Sequence, residues 1–470
     1  MRQFLRNLKT ITALLVLFVA VLLVALFVQQ KRSTEELSAA AGENKFALQQ
    51  IYSQAGSITS SDGVILAQSV KGEREYAENS ALAKASLHLV GDYTHRIANS
   101  VESIYMPELV GNSRSLLDQL ILDVRGQGFV GNDLALTVNS DLMLRAGRLL
   151  ADYQGSIVLL NYETGDLLAL VNSPSVYPAD VVNWENITEG SLFNRALYGR
   201  YLPGSTVKMI STAAFLEDSG QDHDMEVECK GSEPVVPAGA NETLTPDGHG
   251  TVELQEAFRE SCNAFFGRLA IALGRPEITE KLEDFGFNRN LNLDRFKIAQ
   301  SQIDLQEPGA GALSWIGVGQ PIGQDKLTVS PMHLAGIAGA IANDGVMVKP
   351  RVILQETDPL GSVKYERKAE DFFVACRPDT AAELEELMLS VVNSGTGRRA
   401  YREGLSIAGK TGTAERINEE GKIEVSSLFA GYLISDSHPL AIAVVLEDEN
   451  RDAATVAADL LSYAVSVDIP

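Results

Sequence analysis

Three short runs of this chain carry the residue types that acyl transfer needs: Ser205-Thr206-Val207-Lys208, Ser261-Cys262-Asn263 and Lys410-Thr411-Gly412-Thr413. Ser205 and Lys208 are three residues apart, so on a helix they share a face and set a hydroxyl nucleophile beside an amine base. Ser205 follows Pro203-Gly204 at a predicted helix start, where a serine can also be no more than an N-cap. Lys208 supports the chemical reading. Met209 to Leu216 is apolar on most of its circumference, so an amine on that helix loses hydration, which disfavours its charged form. A neutral amine can take the Ser205 proton, and a helix N-terminus favours negative charge developing nearby. The alternative for Lys208 is a side chain that snorkels to water.

Ser261 and Asn263 lie in Val252 to Leu273, which reads as one helix. Residues i and i+2 do not share a helical face, so this pair must sit where the helix is preceded or interrupted by a loop. Two ordinary polar helix residues are the alternative. Lys410-Thr411-Gly412-Thr413 follows Ile407-Ala408-Gly409 in a predicted strand. Its glycine permits close backbone approach, its two threonine hydroxyls can bind a terminal carboxylate, and Lys410 supplies positive potential. Chance alone gives about two S-x-x-K matches in a chain of this length, so the signal is the order of the three runs, not any one of them.

The elements that must position these residues read as follows. At 470 residues, with 45% hydrophobic content, the chain suggests two or three domains with sizeable cores. Ile11 to Val28 is an uncharged run of 18 residues, preceded by Arg2, Arg6 and Lys9 and followed by Lys31 and Arg32. It reads as an uncleaved membrane anchor with a cytoplasmic tail at 1–10; a cleaved signal peptide would have a shorter apolar region. Residues 29–44 read as a juxtamembrane linker, 45–152 as a small non-catalytic domain and 153–470 as a domain able to bury its own core. Asp62-Gly63 marks a hairpin in the first domain. Tyr162-Glu163-Thr164-Gly165 marks another between Ser156–Asn161 and Asp166–Val171. Phe429 to Leu433 and Leu440 to Leu446 read as a strand pair, and strands at both ends suit an antiparallel-rich sheet covered by helices. The net charge of −23 argues against nucleic acid as a partner.

Taken together, the three runs resemble those of the class B penicillin-binding proteins, the monofunctional transpeptidases. Gly317-Val318-Gly319-Gln320, Ser330-Pro331, Ala342-Asn343-Asp344-Gly345 and Val391 to Gly397 add to the likeness. The resemblance implies an α+β fold of the penicillin-binding, serine β-lactamase-like kind: an antiparallel sheet flanked by helices, after a transmembrane helix and a small pedestal domain. The pedestal motif R-G-x-I-x-D-R-x-G is kept only in part, with Ala55 for its arginine and Ser60-Ser61 for its Asp-Arg pair. By resemblance Ser205 is the nucleophile, Lys208 its base and Ser261 a proton relay. Asn263 binds the substrate peptide, Lys410 supplies charge, and Thr411, Gly412 and Thr413 bind the substrate. The backbone N–H groups of Ser205 and Thr413 would form the oxyanion hole. The implied substrates are peptidoglycan stem peptides ending in D-Ala-D-Ala, with β-lactams as mimics. The implied partner is a membrane-embedded glycan polymerase, and no cofactor is implied.

Two rivals stand beside that reading. One is a D,D-carboxypeptidase or β-lactamase-like hydrolase, with water as acceptor; the other is a non-catalytic scaffold or sensor. A sensor needs a cytoplasmic output domain, and a degenerate scaffold would lose a motif residue. The cysteines are Cys229, Cys262 and Cys376, with no C-x-x-C and no H-E-x-x-H, so the spacing points to no metal centre. Cys229 and Cys262 bracket a Gly/Pro-rich loop and are expected to form a disulfide, leaving Cys376 free.

Overall fold

The structure is a computed structural model. It describes residues 50–468 apart from 115, 125–129, 221–222, 235, 242–246, 367, 418–422 and 449–451, together with Thr12, 14–21 and Val24. The described residues of the expected membrane span are helical and exposed, and the rest of that span lies outside the described residues, as do the expected tail and linker. Among the described residues no helix is long and apolar enough to cross a membrane.

Five strands form a wholly antiparallel sheet: β1 (Gly155–Asn161), β2 (Leu167–Ser173), β3 (Ile407–Ile417), β4 (Ile423–Leu433) and β5 (Leu440–Leu446), in the spatial order β3-β4-β5-β1-β2. The helices around it include α1 (Lys208–Glu217), α2 (Leu254–Arg259), α3 (Asn263–Asp284), α4 (Pro331–Ala342), α5 (Pro378–Ser394) and α6 (Ala453–Ala464). Strands β1, β2 and β5 are buried along nearly their whole length, which is why their sequences are continuous apolar runs without alternation. Cover comes from α4 on β5, β1 and β4, from α6 on β5 and β4, and from helix Ser140–Leu150 on β2. The predicted hairpin at Tyr162–Gly165 forms, with Asn161 Oδ1 accepting from the N–H groups of Glu163 and Thr164 at 2.9 and 3.0 Å.

A second, mixed sheet of six strands has the order Val363–Glu366, Ile353–Thr357, Asp133–Leu136, Ile58–Thr59, Ile65–Val70, Glu73–Tyr76. Its Asp62-Gly63 hairpin pairs Ile58 with Ala67. The residues that stand in for the Asp-Arg pair serve the backbone. Ser60 Oγ accepts from Val64 N–H at 3.1 Å, and Ser61 N–H donates to Val138 O at 2.9 Å. The Asp62 carboxylate accepts from Ser140 N–H at 2.9 Å, and these serine donors hold its pKa below the ordinary value against the effect of burial.

The stretch after residue 153 is not covered by its own residues alone. Strand Ile353–Thr357 pairs with Asp133–Leu136. Helix Ser140–Leu150 buries Leu142, Met143, Ala146 and Leu150 completely, and it packs against β2 and α6. The physical reason is that β2 is an edge strand with apolar residues on both faces, so some other part of the chain must cover it.

Candidate active site

Ser205 lies in a single 3-10 turn, Gly204–Val207, that runs straight into α1. Gly204 has φ +50°, and a side chain there would put its Cβ 2.4 Å from Thr413 O. Only glycine therefore lets the Ser205 turn press against the Lys410 strand. Gly319 backs the same turn: Gly204 N–H donates to Gly319 O at 3.2 Å. Helix α1 is buried from Lys208 to Phe215, as its apolar sequence predicts, and Lys208 is 0% exposed. The helix leaves no room for snorkelling.

The predicted single helix from Val252 to Leu273 is broken. Helix α2 ends at Arg259 and α3 begins at Asn263, with Ser261 at φ +58° between them. The break lets residues i and i+2 face one place. Lys208 Nζ donates to Ser261 O at 2.6 Å and to Asn263 Oδ1 at 2.8 Å, and lies 3.2 Å from Ser261 Oγ. Lys410 Nζ, also 0% exposed, lies 3.0 Å from the same Oγ. Two buried amines thus meet at one hydroxyl. The Lys410 amine is held well below the ordinary lysine value, first by burial and then by the charge of Lys208. Each Nζ also stands over an aromatic ring, Lys208 5.2 Å from the centre of Phe266 and Lys410 5.8 Å from that of Phe258.

Strand β3 is an edge of the five-stranded sheet, so one row of its backbone groups is open to an added strand. Along it Gly412 is buried, Thr411 is half-buried and Thr413 is exposed. Thr411 Oγ1 lies 3.0 Å from Thr396 Oγ1, and Gln320 Nε2 is 3.4 Å from Thr413 O. The structure thus brings together all eight expected site residues: Ser205, Lys208, Ser261, Asn263, Lys410, Thr411, Gly412 and Thr413. Asn263 is tied at both ends of its amide: Oδ1 accepts from Lys208, and Nδ2 donates to Asn241 O at 3.0 Å. Sequence reasoning did not assign a role to Thr396, Gln320, Phe258, Phe266 or Asn241. Gly317 to Gln320 and Val391 to Gly397 are segments of the family resemblance, so Thr396 and Gln320 carry a signal in the sequence. The two phenylalanines were hidden among other apolar helix residues.

The expected Cys229–Cys262 bridge is not formed, and none of the three cysteines is in a disulfide. The ring of His249 shares the space with the two sulfurs: its Nδ1 is 3.5 Å from Cys229 Sγ.

A Ser-x-x-Lys helix start with a half-buried serine and a buried lysine, set against a lysine-bearing edge strand, defines a serine acyl-transfer enzyme. Residues 155–464 match the penicillin binding protein transpeptidase domain model, so this chain belongs to the penicillin-binding protein transpeptidase family, in its class B branch. It is 29% identical over 382 residues to the peptidoglycan D,D-transpeptidase MrdA of Acinetobacter baumannii, covering 71% of this chain and 54% of that one. It is 27% identical over 468 residues to the peptidoglycan D,D-transpeptidase PbpA of Mycolicibacterium smegmatis, covering 94% of both chains. Among solved structures, the imipenem acyl-enzyme complex of penicillin-binding protein A from M. tuberculosis superposes with a TM-score of 0.77 at 25% identity, over 88% of this chain and 100% of that one. The D,D-transpeptidase domain of a peptidoglycan glycosyltransferase from Eggerthella lenta superposes with a TM-score of 0.75 at 27% identity, over 88% of this chain and 99% of that one.

Proposed function

We propose that this chain is a peptidoglycan D,D-transpeptidase and β-lactam target that works through an acyl-enzyme on Ser205. The observation that carries the reading is the pair of buried amines, Lys208 and Lys410, meeting at Ser261 Oγ beside the Ser205 turn. A neutral amine has two N–H groups and one lone pair. The two carbonyl oxygens beside Lys208 Nζ, those of Ser261 and of the Asn263 amide, take the N–H groups. The lone pair of such an amine can receive a hydroxyl proton.

The donor stem peptide, ending in D-Ala-D-Ala, adds to the open edge of β3. Its terminal carboxylate binds Thr411 and Thr413, and that negative charge, with Lys208 neutral, favours the Lys410 charge that burial opposes. Ser205 Oγ attacks the penultimate D-alanine carbonyl as Lys208 takes the hydroxyl proton. The oxyanion is held by the N–H groups of Ser205 and Thr413, each donor of this kind being worth roughly 2.7–4 kcal/mol. The C–N bond breaks, and D-alanine leaves with a proton relayed through Ser261. An amine of a neighbouring stem then attacks the ester, loses its proton to the same relay and forms the 4→3 crosslink, freeing Ser205. A β-lactam follows the first half and stops at the ester. The basic residues flanking Ile11 to Val28 support a single membrane anchor with the catalytic domain outside, held beside a membrane-embedded glycan polymerase.

Mass spectrometry after penicillin treatment tests the assignment. The adduct is expected on the peptide containing Ser205; an adduct on another peptide, or none on folded protein, overturns it.

A further inference from the structure

A second cluster of chemically active side chains lies directly behind the site. Cys229 ends the strand Val227–Cys229, which pairs with Gly250–Val252, Cys229 opposite Gly250. His249 immediately precedes that second strand, so the ribbon sets a thiol and an imidazole at the same end. Cys262, the N-cap residue of α3, brings a second thiol to them. One ligand atom from each, the two Sγ and a ring nitrogen of His249, all lie within 4.8 Å of one another. Cys229 and Cys262 are buried and His249 is half-buried.

We propose that Cys229, His249 and Cys262 form a zinc site that positions the Ser261-Asn263 turn. Around a tetrahedral zinc with Zn–S about 2.3 Å and Zn–N about 2.0–2.1 Å, neighbouring donor atoms sit roughly 3.5–3.8 Å apart. The 3.5 Å between Cys229 Sγ and His249 Nδ1 is already such an edge. A thiol–imidazole hydrogen bond would account for that pair, and a disulfide for the two sulfurs; a metal ion uses all three donors. Two thiolates and an imidazole select zinc over magnesium or calcium, which take oxygen ligands. Binding releases the two thiol protons, and the half-exposed side at His249 leaves a fourth position for water.

The placement gives the ion a purpose. Cys262 stands between Ser261 and Asn263, and the loop that leaves at Cys229 returns at His249. That loop reaches the site through Asn241 O, which accepts from Asn263 Nδ2 at 3.0 Å. It is also held by Ala240 N–H donating to Ser314 Oγ at 2.9 Å. An ion at the base of the loop would hold both loop ends and the left-handed Ser261 turn in one position. The three cluster residues act through Ser261 and Asn263 and are positioning residues.

The test uses the full chain in detergent, purified without a metal-affinity step. Elemental analysis should find about one zinc per chain, lost in His249→Ala and in Cys262→Ser but kept in Cys376→Ser, whose thiol lies outside the cluster. Where a variant does not fold, the unaltered protein decides: stripped and reloaded with Co2+, it should show the near-ultraviolet thiolate-to-cobalt band. Absence of stoichiometric zinc and of that band overturns the proposal. So does zinc retained in both cluster variants, or a thiol count in denatured, unreduced protein that shows Cys229 bonded to Cys262.

Discussion

At the scale of single residues the chemistry turns on which of two lysines can lose a proton. Lys208 and Lys410 are both fully buried and share the Ser261 hydroxyl, and burial, followed by the charge of Lys208, disfavours the charge of Lys410. Lys208→Arg keeps the charge but cannot deprotonate. Penicillin acylation by that variant, followed by stopped-flow or by labelled-penicillin gel, should fall by about 100-fold or more, the usual range for a lost general base. Acylation at the native rate by a folded Lys208→Arg protein would remove Lys208 from the base role. Ser205, Lys208 and Lys410 were readable from residue type and spacing alone. Their aromatic neighbours Phe258 and Phe266 were not, because nothing local separates a phenylalanine that lines a site from one that fills a core.

Among the elements, α4 shows how a buried polar group reports on packing. His333 Nε2 donates to Phe285 O at 2.7 Å, and Nδ1, left as acceptor, takes a hydrogen bond from Ser301 Oγ at 2.7 Å. Burial lowers the pKa of the ring from 6.5 to about 4, so it is neutral in the folded protein near pH 7. The unfolded chain takes up that proton near pH 6.5 and the folded protein only near pH 4. The stabilisation is thus complete above pH 6.5 and is lost as pH falls to about 4, at a cost of up to roughly 3 kcal/mol. Urea unfolding of His333→Gln should show an acid-side fall in stability smaller than that of the native protein by about that amount. Equal slopes for the two proteins would show that this histidine does not titrate with unfolding. His88, buried against Ser191 O with its pKa also lowered to about 4, should add a similar share. The break between α2 and α3 belongs to this scale too. Its necessity could be argued from the i, i+2 spacing of Ser261 and Asn263, but its position at Glu260–Cys262 could not, since no Gly or Pro between Leu254 and Phe266 marks it.

For the whole molecule, the two sheets share one hydrophobic core. Helix Ser140–Leu150 buries Leu142, Met143 and Leu150 completely, at about 1.5–3 kcal/mol each. That sum is comparable to the whole stability of an ordinary domain, about 5–15 kcal/mol. A fragment starting at Gln50 should fold and label with fluorescent penicillin, whereas one starting at Tyr153 should aggregate or remain unlabelled. Equal labelling of the shorter fragment would show that the catalytic sheet needs no cover from residues before it.

The sequence by itself determined the three site motifs, the β1–β2 hairpin and the paired strands β4 and β5. Each of these is written locally, in motif spacing, turn residues or an apolar run bounded by breakers. Only the tertiary structure decided what depends on contacts between distant segments. Ile353–Thr357 joins the sheet of Asp133–Leu136, and Ser61 and Asp62 secure the start of helix Ser140–Leu150. Two lysines 202 positions apart in number reach one hydroxyl. Cys229, His249 and Cys262 carry no ligand-like spacing along the chain, yet they converge because a β-ribbon brings its two ends together against the start of a helix. Such convergence is set by the packing of whole elements, and local sequence holds no record of it.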